Sequence, residues 1–409
     1  MRIRPFRGYR YRTDKPDVSA VVAPPYDQIG PDAQERLYAM SPHNIVRITL
    51  PREEPGRDRY QRARETLEAW LADGIWTPDA EPAIYPYQQT FRLGGREVTR
   101  RAFIALGEVS EYARGIVRPH ERTHRGPKQD RRRLLEATGA DTGLIFMLVD
   151  DAAGDLAEAW DPRGDPLAEA RDLRGETHRL WRLTDPGAIA RLTEAMAPRS
   201  VIIADGHHRY ETAVEYARQR PGARDKMMAF CALQAPGLAI LPNHRLVHGL
   251  GDFSLEGLAR AARRWFDTAP LADPLAFEPA PRRIGVVSAE GALEFRLRDE
   301  AFDAVAWPAG ASPAWRRLAV SVLHEGLLRP CLGITDEVLD AGTHVDYVAD
   351  QAEAVALVRR GRYQAAFLIA PTTAAELAAV VEGGELMPQK STHFYPKMLD
   401  GLVFHRLEE

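Results

Sequence analysis

Apolar residues follow two different periods along this chain, and the alternation of the two predicts a mixture of helices and strands. Gly74 is expected to end the first helix, and Gly94-Gly95 to turn a hairpin between two strands. Helical spacing of apolar residues favours helices over 57–73, 128–138, 313–328 and 352–360. Short apolar or alternating runs favour strands over 44–48, 83–91, 98–109, 143–149, 201–204 and 365–369. The fold class that follows is α/β in the broad sense, mixed α+β with mixed sheets.

The length and two irregular stretches divide the chain into three expected domains. At 409 residues the chain exceeds what one hydrophobic core usually serves. Residues 152–166 are rich in Ala, Gly, Asp and Pro, and four prolines interrupt 269–283, so both stretches are expected to be connections. The expected domains are 1–150, 170–268 and 283–409.

Composition narrows the class of protein. Apolar residues make up 45% and charged residues 27%, and no run approaches the roughly 18 apolar residues that a membrane span needs. The formal net charge of −4 gives no overall attraction to nucleic acid or anionic lipid. The basic N-terminus lacks the apolar segment of a secretory signal, so the cytoplasm is expected. Cys231 and Cys331 have apolar neighbours and are expected to be reduced thiols.

Residues 201–209 carry most of the functional information. The apolar run 201–204 is followed by the turn dipeptide Asp205-Gly206 and then by apolar residues at helical spacing from Tyr210, which predicts a strand, a tight turn and a helix. The first backbone N–H groups of a helix lack partners and the helix dipole is positive there, so this junction suits a phosphate. Gly206 would let the phosphate approach the backbone, and Arg209 would add a bidentate contact.

Asp205 stands beside that expected phosphate site. A carboxylate there could accept the proton of an attacking hydroxyl or hold Mg²⁺, and the residues alone leave both roles open. In an isolated Asp-Gly turn it would more simply cap the helix. The crowding of His207, His208 and Arg209 around one glycine favours a site. Because adjacent side chains of an extended segment point opposite ways, at most one of the two histidines is expected to touch a ligand.

A second charged cluster occupies residues 120–133. His120-Glu121-Arg122-Thr123-His124 has the form H-E-x-x-H of a zinc protease, but the prolines on both sides leave too short a helix for that role. Glu121 could instead hold Mg²⁺ beside the cationic Lys128 and Arg131, a set that suits a small, highly charged anion. For the two arginines that follow, a solvated helix face is an equally good interpretation.

The C-terminal tail, expected to be irregular from Gly383 onward, offers a third set. Lys390-Ser391-Thr392, Tyr395 and Lys397 combine ammonium groups, hydroxyls and an aromatic ring in a loop interrupted by prolines. Such a loop could clamp a phosphate or close over a small substrate, although composition alone also fits an ordinary terminal loop. Neither G-x-x-x-x-G-K-[ST] nor G-x-G-x-x-G occurs, so a Walker-type or Rossmann-type nucleotide site has no support.

The turn after strand 201–204 resembles the phosphate-binding turn of the ParB and sulfiredoxin superfamily, in the form found in its free-serine kinases. Almost end to end, the chain also resembles a bacterial family long described as a domain of unknown function, some of whose members are pyrophosphate-dependent serine kinases. The segments that carry the likeness are Pro24-Pro25-Tyr26-Asp27, His120-Glu121-Arg122-Thr123 with Lys128 and Asp130-Arg131, Asp205 to Arg209, Asn243-His244-Arg245, and Met387 to Lys397.

This resemblance implies an enzyme that moves a phosphoryl group from pyrophosphate to the hydroxyl of free L-serine with Mg²⁺, and a ParB/sulfiredoxin-like core within 170–268. The implied catalytic residues are Asp205 as base, Glu121, His207 and His208, with Mg²⁺ on Asp205 or Glu121. The implied phosphate- and substrate-binding residues are Gly206, Arg209, His120, Arg122, Thr123, Lys128, Arg131, His244, Arg245, Lys390, Ser391, Thr392, Tyr395 and Lys397.

The expected partners are therefore two small molecules, L-serine and pyrophosphate, with neither nucleic acid nor membrane, while a homo-oligomer is left open. Two alternatives remain beside this interpretation. The donor could be ATP or ADP instead of pyrophosphate. The chain could also be a non-catalytic nucleotide-binding switch, since ParB-like folds use the same turn to bind a nucleotide.

Overall fold

The computed structural model describes residues 1–12, 17–122, 125–220 and 222–407, with 125–127 described by their backbone alone. Helices and strands alternate along these residues, which confirms the predicted mixed α+β class. The strands are β1 (Ile3–Arg4), β2 (Tyr9–Tyr11), β3 (Trp76–Pro78), β4 (Tyr85–Leu93), β5 (Arg96–Glu108), β6 (Val117–Arg118), β7 (Ala140–Asp141), β8 (Ile145–Val149), β9 (Ala168–Arg171), β10 (Thr177–Leu180), β11 (Val201–Asp205), β12 (Asp225–Ala232), β13 (Ala239–Leu241), β14 (His244–Val247), β15 (Phe266–Pro270), β16 (Arg283–Ser288), β17 (Gly291–Leu297), β18 (Val345–Val348), β19 (Ala365–Leu368), β20 (His393–Tyr395) and β21 (His405–Arg406).

The helices include several single turns. The α-helices are α1 (Val18–Val21), α2 (Pro31–Met40), α3 (Val46–Thr49), α4 (Arg59–Ala72), α5 (Arg125–Thr138), α6 (Ala157–Trp160), α7 (Pro186–Met196), α8 (His207–Gln219), α9 (Leu255–Ala262), α10 (Pro313–Arg317), α11 (Ala319–Leu323), α12 (Arg329–Leu332), α13 (Asp336–Ala341), α14 (Gln351–Arg359) and α15 (Ala374–Glu382). Tyr26–Gln28, Tyr112–Arg114 and Phe302–Ala304 are 3-10 turns, and His324–Leu328 is a π-helical turn.

The chain forms two compact units, which are described separately below. The first comprises Met1–Pro119, Thr123–Ala239 and Pro396–Glu409, and the second comprises His120–Arg122 and Ile240–Tyr395. The end of the tail therefore belongs to the same unit as the strand and turn at 201–209. The three-domain division drawn from the irregular stretches stays a prediction.

A mixed sheet forms the centre of the first unit. Among the described residues it has nine strands, in the order β6-β11-β8-β12-β5-β4-β10-β9, with β1 beside β5. Strand β8 pairs in parallel with β12 and antiparallel with β11. All five residues of β8 are buried, as expected for a continuous apolar run that has layers on both faces.

The predicted hairpin is confirmed at β4 and β5. Leu93 lies opposite Arg96 in the antiparallel register, and the two glycines between them have φ of 56° and 80°. Positive φ at both central residues defines the two-residue turn that matches strand twist, and glycine adopts it without a steric cost.

The helix predicted over 57–73 is confirmed as α4. Its buried residues Tyr60, Ala63, Leu67 and Trp70 follow the predicted spacing, and the Asp58 carboxylate accepts hydrogen bonds from the backbone N–H groups of Tyr60 and Gln61. The predictions over 128–138 and 352–360 are confirmed as α5 and α14, and those over 143–149 and 365–369 as β8 and β19.

The strand predicted over 44–48 is wrong, because Val46–Thr49 is a helical turn. The Asn44 side chain donates to the carbonyls of Ala20 and Val22 and accepts from the N–H of Val46, so it fixes the start of this turn. Ile45, Val46 and Ile48 are then all buried in one hydrophobic cluster. A run of five residues is too short for its apolar period to separate a strand from a buried helical turn.

The second unit contains an antiparallel sheet. Six strands of the described residues follow the order β15-β17-β16-β19-β14-β18, and α14 packs its buried Ala354, Val355 and Val358 into the cluster formed with this sheet.

The prediction of one continuous helix over 313–328 is wrong. Leu318, with φ −59° and ψ 135°, separates α10 from α11, and the chain then passes through the π-helical turn. Residues 318–328 are all buried, so no polar face marks where the helix breaks.

The tail predicted to be irregular also contains two short strands, β20 and β21. None of the helices in the described ranges is long and apolar enough to cross a membrane.

Candidate functional site

The predicted strand, turn and helix are confirmed at β11, Gly206 and α8. The pairing of β11 with β8 shifts between Ile203 and Asp205, so one extra residue lies in β11 just before the turn. Such a bulge redirects the side chain that follows it. Gly206 then adopts φ 94° and ψ 29° as the residue that caps α8, and His207 begins the helix. Asp205 is therefore placed at the strand end, beside the N-terminus of α8.

The simpler interpretation of Asp205 as a helix cap does not hold. The capping position belongs to Gly206, which has no side chain to accept a capping hydrogen bond. A helix start capped by glycine instead of a side-chain oxygen presents its positive dipole end to whatever binds there. The turn therefore keeps the features of an anion site.

Glycine is required at position 206 for two reasons. Its left-handed φ is unfavourable for residues with a Cβ atom. A Cβ atom at this position would also lie 3.1 Å from Nε and 3.2 Å from Nη2 of Arg209. The guanidinium thus lies close over the turn, with its Nε and Nη2 edge against Gly206.

Lys397 completes the charged group around Asp205. Its Nζ lies 3.1 Å from Asp205 Oδ2. The backbone beside it is held by two buried polar side chains: Arg100 donates to the carbonyl of Pro396, and Gln89 Nε2 donates to the carbonyl of Lys397 at 2.8 Å. Arg100 is fully buried and also donates to Gln89 Oε1. The tail is therefore fixed where the lysine reaches a carboxylate 192 residues away.

Asp205 is held as a carboxylate. Burial alone would favour its neutral form, but Lys397 and Arg209 outweigh that effect and hold the pKa of Asp205 well below its usual range. His207, which is buried, adds to the same effect. The two histidines lie in the first turn of α8 and not in an extended segment, so the predicted opposite orientation does not apply; His207 is buried and His208 is partly exposed.

A small cavity lies beside the turn within the first unit. Its volume is about 50 Å³, and its charged lining residues are Arg131, Asp141, Arg209, Lys226 and Asp400. Lys226 forms an ion pair with Asp141 and donates to the carbonyl of Gly143 at 3.2 Å. Burial raises the pKa of Asp400 to about 7, although Arg209 opposes this shift. The cavity therefore places charged groups beside apolar residues of α5, in a space of the size that holds a few waters or a small polar group.

Among the basic residues of α5 whose side chains the structure describes, Arg131 alone lines this cavity. Arg131 donates to Asp130 and to the carbonyl of Thr49, and its guanidinium lies 3.8 Å from the centre of the Tyr26 ring. Lys128 forms an ion pair with Glu211 on α8. This ion pair stabilises the contact between α5 and α8.

The remaining predicted site residues, apart from Thr123, belong to the second unit, where several of them bind the tail backbone. His120 Nε2 lies 2.8 Å from Thr392 Oγ1, and Asn243 donates to the carbonyls of Lys390 and Thr392. Arg245 donates to the carbonyls of Asn243, Gln389 and Lys390. These contacts fix the conformation of the tail, so the role that the structure gives these residues is structural.

The other tail residues follow the same pattern. Ser391 is buried, its hydroxyl donates to the carbonyl of Pro388, and its own carbonyl accepts from Thr372. Lys390 has φ 55°, a left-handed conformation that costs energy for a residue with a side chain. His244 Nδ1 accepts the N–H of Ile369, and burial lowers the pKa of His244 to about 4. Tyr395 and Glu121 are partly buried and Arg122 is exposed, whereas Thr123 lies outside the described residues.

The fit to Mg²⁺ depends on a single carboxylate. Among the described residues no group of three or more His, Cys, Asp or Glu side chains gathers closely enough to hold a metal ion. Mg²⁺ often binds through one or two carboxylates together with phosphate oxygens of the substrate, and the ionised Asp205 satisfies that requirement. The magnesium assignments of Asp205 and Glu121 stay predictions.

The sequence alone did not identify Asp400 or Lys226. Asp400-Gly401 repeats the dipeptide of the 205–206 turn, and Gly401 has φ 98°, close to the 94° of Gly206. For Asp400, the sequence therefore contained one indication of a role in the site, namely a second Asp-Gly turn near basic residues. Lys226 lies inside the buried strand β12 and carries no local indication of its role.

The fold and the site together define a mixed α+β protein with a glycine-capped strand–turn–helix that carries a partly buried carboxylate. The chain belongs to the family described as Protein of unknown function (DUF1015), whose model matches residues 3–321. None of the curated proteins matches the chain.

Solved structures show only a remote similarity. A conserved hypothetical protein from Pyrococcus furiosus is 14% identical, with 72% of this chain and 93% of that chain covered and a TM-score of 0.37. A free serine kinase in complex with AMP is 14% identical, with 72% and 90% covered and a TM-score of 0.38. SbnI from Staphylococcus aureus, truncated at its C-terminus, is 14% identical, with 73% and 85% covered and a TM-score of 0.38. Similarities this remote assign no function to the chain.

Proposed function

We propose that this protein is a phosphotransferase that moves a phosphoryl group from pyrophosphate to the hydroxyl of free L-serine. The products are O-phospho-L-serine and orthophosphate. The observation that carries the proposal is the gathering of Asp205, Arg209 and Lys397 around the glycine-capped start of α8. Two cations and a helix N-terminus neutralise phosphate oxygens, and the carboxylate lies where an acceptor hydroxyl has to be oriented. Pyrophosphate and serine as the two substrates follow from the sequence resemblance.

In the proposed reaction the serine Oγ forms a bond to one phosphorus of pyrophosphate while the bond from that phosphorus to the bridging oxygen breaks. Orthophosphate leaves with the electron pair of the broken bond. The hydroxyl proton passes to Asp205 and from there to phosphate or water. Because its pKa is low, Asp205 orients the hydroxyl and accepts the proton only as the oxygen–phosphorus bond forms.

The two cations act at different positions. Arg209 offers a planar pair of N–H groups over the turn, which suits two oxygens of one phosphate. Lys397 keeps Asp205 ionised and provides a second positive charge for the anionic donor. Mg²⁺, bound through Asp205 and pyrophosphate oxygens, would supply further charge neutralisation.

The direct test is ³¹P NMR of the purified full chain with L-serine, pyrophosphate and MgCl₂. The expected result is a new phosphomonoester resonance that grows as pyrophosphate disappears and that matches added O-phospho-L-serine. Consumption of ATP or ADP but not pyrophosphate would overturn the donor assignment. Tight binding of ATP or CTP without any phosphorylated product would overturn the assignment as an enzyme.

A further inference from the structure

The cavity beside the turn contains a buried carboxylate that the proposed chemistry leaves without a role. Asp400 is 4% exposed, and its Oδ1 has no hydrogen-bond partner among the described residues. A buried polar atom without a partner costs free energy, so its persistence calls for a ligand or an ordered water. Asp400 lines the cavity, as does Arg209.

Gly143 lies against both of these side chains at the wall of the cavity. A Cβ atom built on this glycine would lie 3.3 Å from Arg209 Nη1 and 3.6 Å from Asp400 Oδ1. Gly143 is not among the glycines with positive φ, so its backbone does not itself require glycine. The missing side chain instead lets the guanidinium and the carboxylate approach the backbone, where a methyl group would crowd Arg209.

The other charges of the cavity are already paired. Lys226 forms its ion pair with Asp141, whose Oδ2 also accepts the N–H of Met227 at 2.7 Å. Arg131 is committed to Asp130 and to the carbonyl of Thr49. This leaves one carboxylate oxygen and one end of a guanidinium facing the same small space. An α-amino acid carries the complementary pair, an ammonium and a carboxylate on neighbouring atoms.

Arg209 also links this space to the phosphate turn. Its Nε and Nη2 lie against Gly206, whereas Nη1 lies against Gly143. A single planar guanidinium can therefore touch a phosphate with one edge and an acceptor carboxylate with its other end, which would hold the two reactants side by side.

We propose that the cavity lined by Gly143, Arg209 and Asp400 is the binding subsite for the zwitterionic head of the amino-acid acceptor, with its ammonium on Asp400 and its carboxylate on Arg209. The inference rests on the proposed function for the identity of the acceptor as serine. The subsite itself selects α-amino acids over simple alcohols, because an acceptor without an ammonium would leave the buried Asp400 unpaired.

The test is isothermal titration calorimetry of the full chain with L-serine, 3-hydroxypropanoate and methylenediphosphonate, which is a pyrophosphate analogue that cannot transfer its phosphoryl group. The variants are Asp400→Asn, which keeps the shape of the side chain, and Gly143→Ala, which adds a methyl group against Arg209. Asp161→Asn, an exposed carboxylate of the same unit, is the matched control.

Both site variants should weaken L-serine binding by at least about tenfold, and Asp400→Asn, which adds no atoms against Arg209, should leave methylenediphosphonate binding within about twofold of the original. In the original protein L-serine should bind more tightly than 3-hydroxypropanoate, and Asp400→Asn should remove that preference. If Asp400→Asn does not fold, Gly143→Ala still tests the loss of L-serine binding.

Unchanged L-serine affinity in both variants would overturn the subsite, as would the absence of measurable L-serine binding to the original protein. The two proposals fail separately. Phosphoserine formation with an unaltered KM for L-serine in Asp400→Asn would sink the subsite and leave the reaction standing. Specific L-serine binding that depends on Asp400, without any transfer from pyrophosphate, would sink the reaction and support the subsite.

Discussion

Arg209 and Arg245 each follow a histidine, and both were assigned to ligand binding from their motifs, yet their surroundings differ. Arg245 is fully buried and donates to the carbonyls of Asn243, Gln389 and Lys390, with its pKa lowered to about 10 by burial. Arg209 is partly buried and faces the carboxylates of Asp205 and Asp400, which raise its pKa even though burial opposes them.

This difference separates two uses of the same side chain. An arginine whose two terminal nitrogens donate to backbone carbonyls, as in Arg245, stabilises the chain conformation and has few donors left for a ligand. An arginine that is balanced only by carboxylates around a cavity retains donors for an anion. The first unit therefore carries the charge arrangement suited to substrate binding, whereas Arg245 in the second unit holds a segment of the tail.

The largest expected effect is that of Asp205→Asn on the proposed reaction. Loss of the carboxylate should lower the rate of phosphoserine formation by about a thousandfold, because both the proton acceptor and the counter-charge for Lys397 disappear. The rate is followed by ³¹P NMR, with melting temperature and methylenediphosphonate binding as controls for folding and for the anion site. Undiminished turnover would remove Asp205 from the mechanism.

Next in size is the effect of Arg245→Met on stability. The substitution leaves buried carbonyl groups without donors, so the free energy of unfolding should fall by roughly 2–3 kcal/mol. Thermal denaturation measures this loss, and Arg359→Met, at an exposed position of α14, should change the melting temperature much less. Equal melting temperatures for the two variants would show that the Arg245 contacts contribute little.

Arg209→Lys should show the opposite pattern. Lysine keeps the positive charge but loses the planar pair of donors, so turnover should fall by about 30-fold, or roughly 2 kcal/mol, while the melting temperature changes little. Arg218→Lys, an exposed substitution on the same helix, is the control. A large loss of stability with full activity would assign Arg209 the same structural role as Arg245.

The smallest expected effect is the pH dependence that Asp400 adds to stability. Its pKa in the folded protein is raised to about 7 by burial, so between about pH 4 and 7 the folded state binds more protons than the unfolded state. The Asp400 contribution to stability is therefore present at low pH and is lost as pH rises through about 7. The charged groups that face Asp400 are Arg209, Asp27, Arg131 and Lys226.

Asp400→Asn removes this titration and leaves the other groups in place. The melting temperature of the variant relative to the original should rise by a few degrees between pH 5 and 8, as measured by calorimetric scans across that range. A constant difference between the two proteins at all pH values would contradict a raised pKa at Asp400.

Much of the secondary structure follows from local patterns. The hairpin at Gly94-Gly95, the helix α4 and the strand–turn–helix that begins at 201 were all predicted, because each depends on residues within one or two turns of the chain. The turn at Val46–Thr49 and the break at Leu318 were not, because buried residues on all sides leave no alternation of apolar and polar positions to interpret.

The candidate site divides in the same way. The sequence by itself determined that Asp205, Gly206 and Arg209 would meet at a helix start, since a turn dipeptide between a strand and a helix brings neighbours in the chain together. Only the tertiary structure decided that Lys397 neutralises Asp205, that Gly143, Arg209 and Asp400 line one cavity, and that Arg245 holds the tail. These contacts join residues far apart in the chain, so they depend on how strands and tail pack, and no local periodicity encodes that packing.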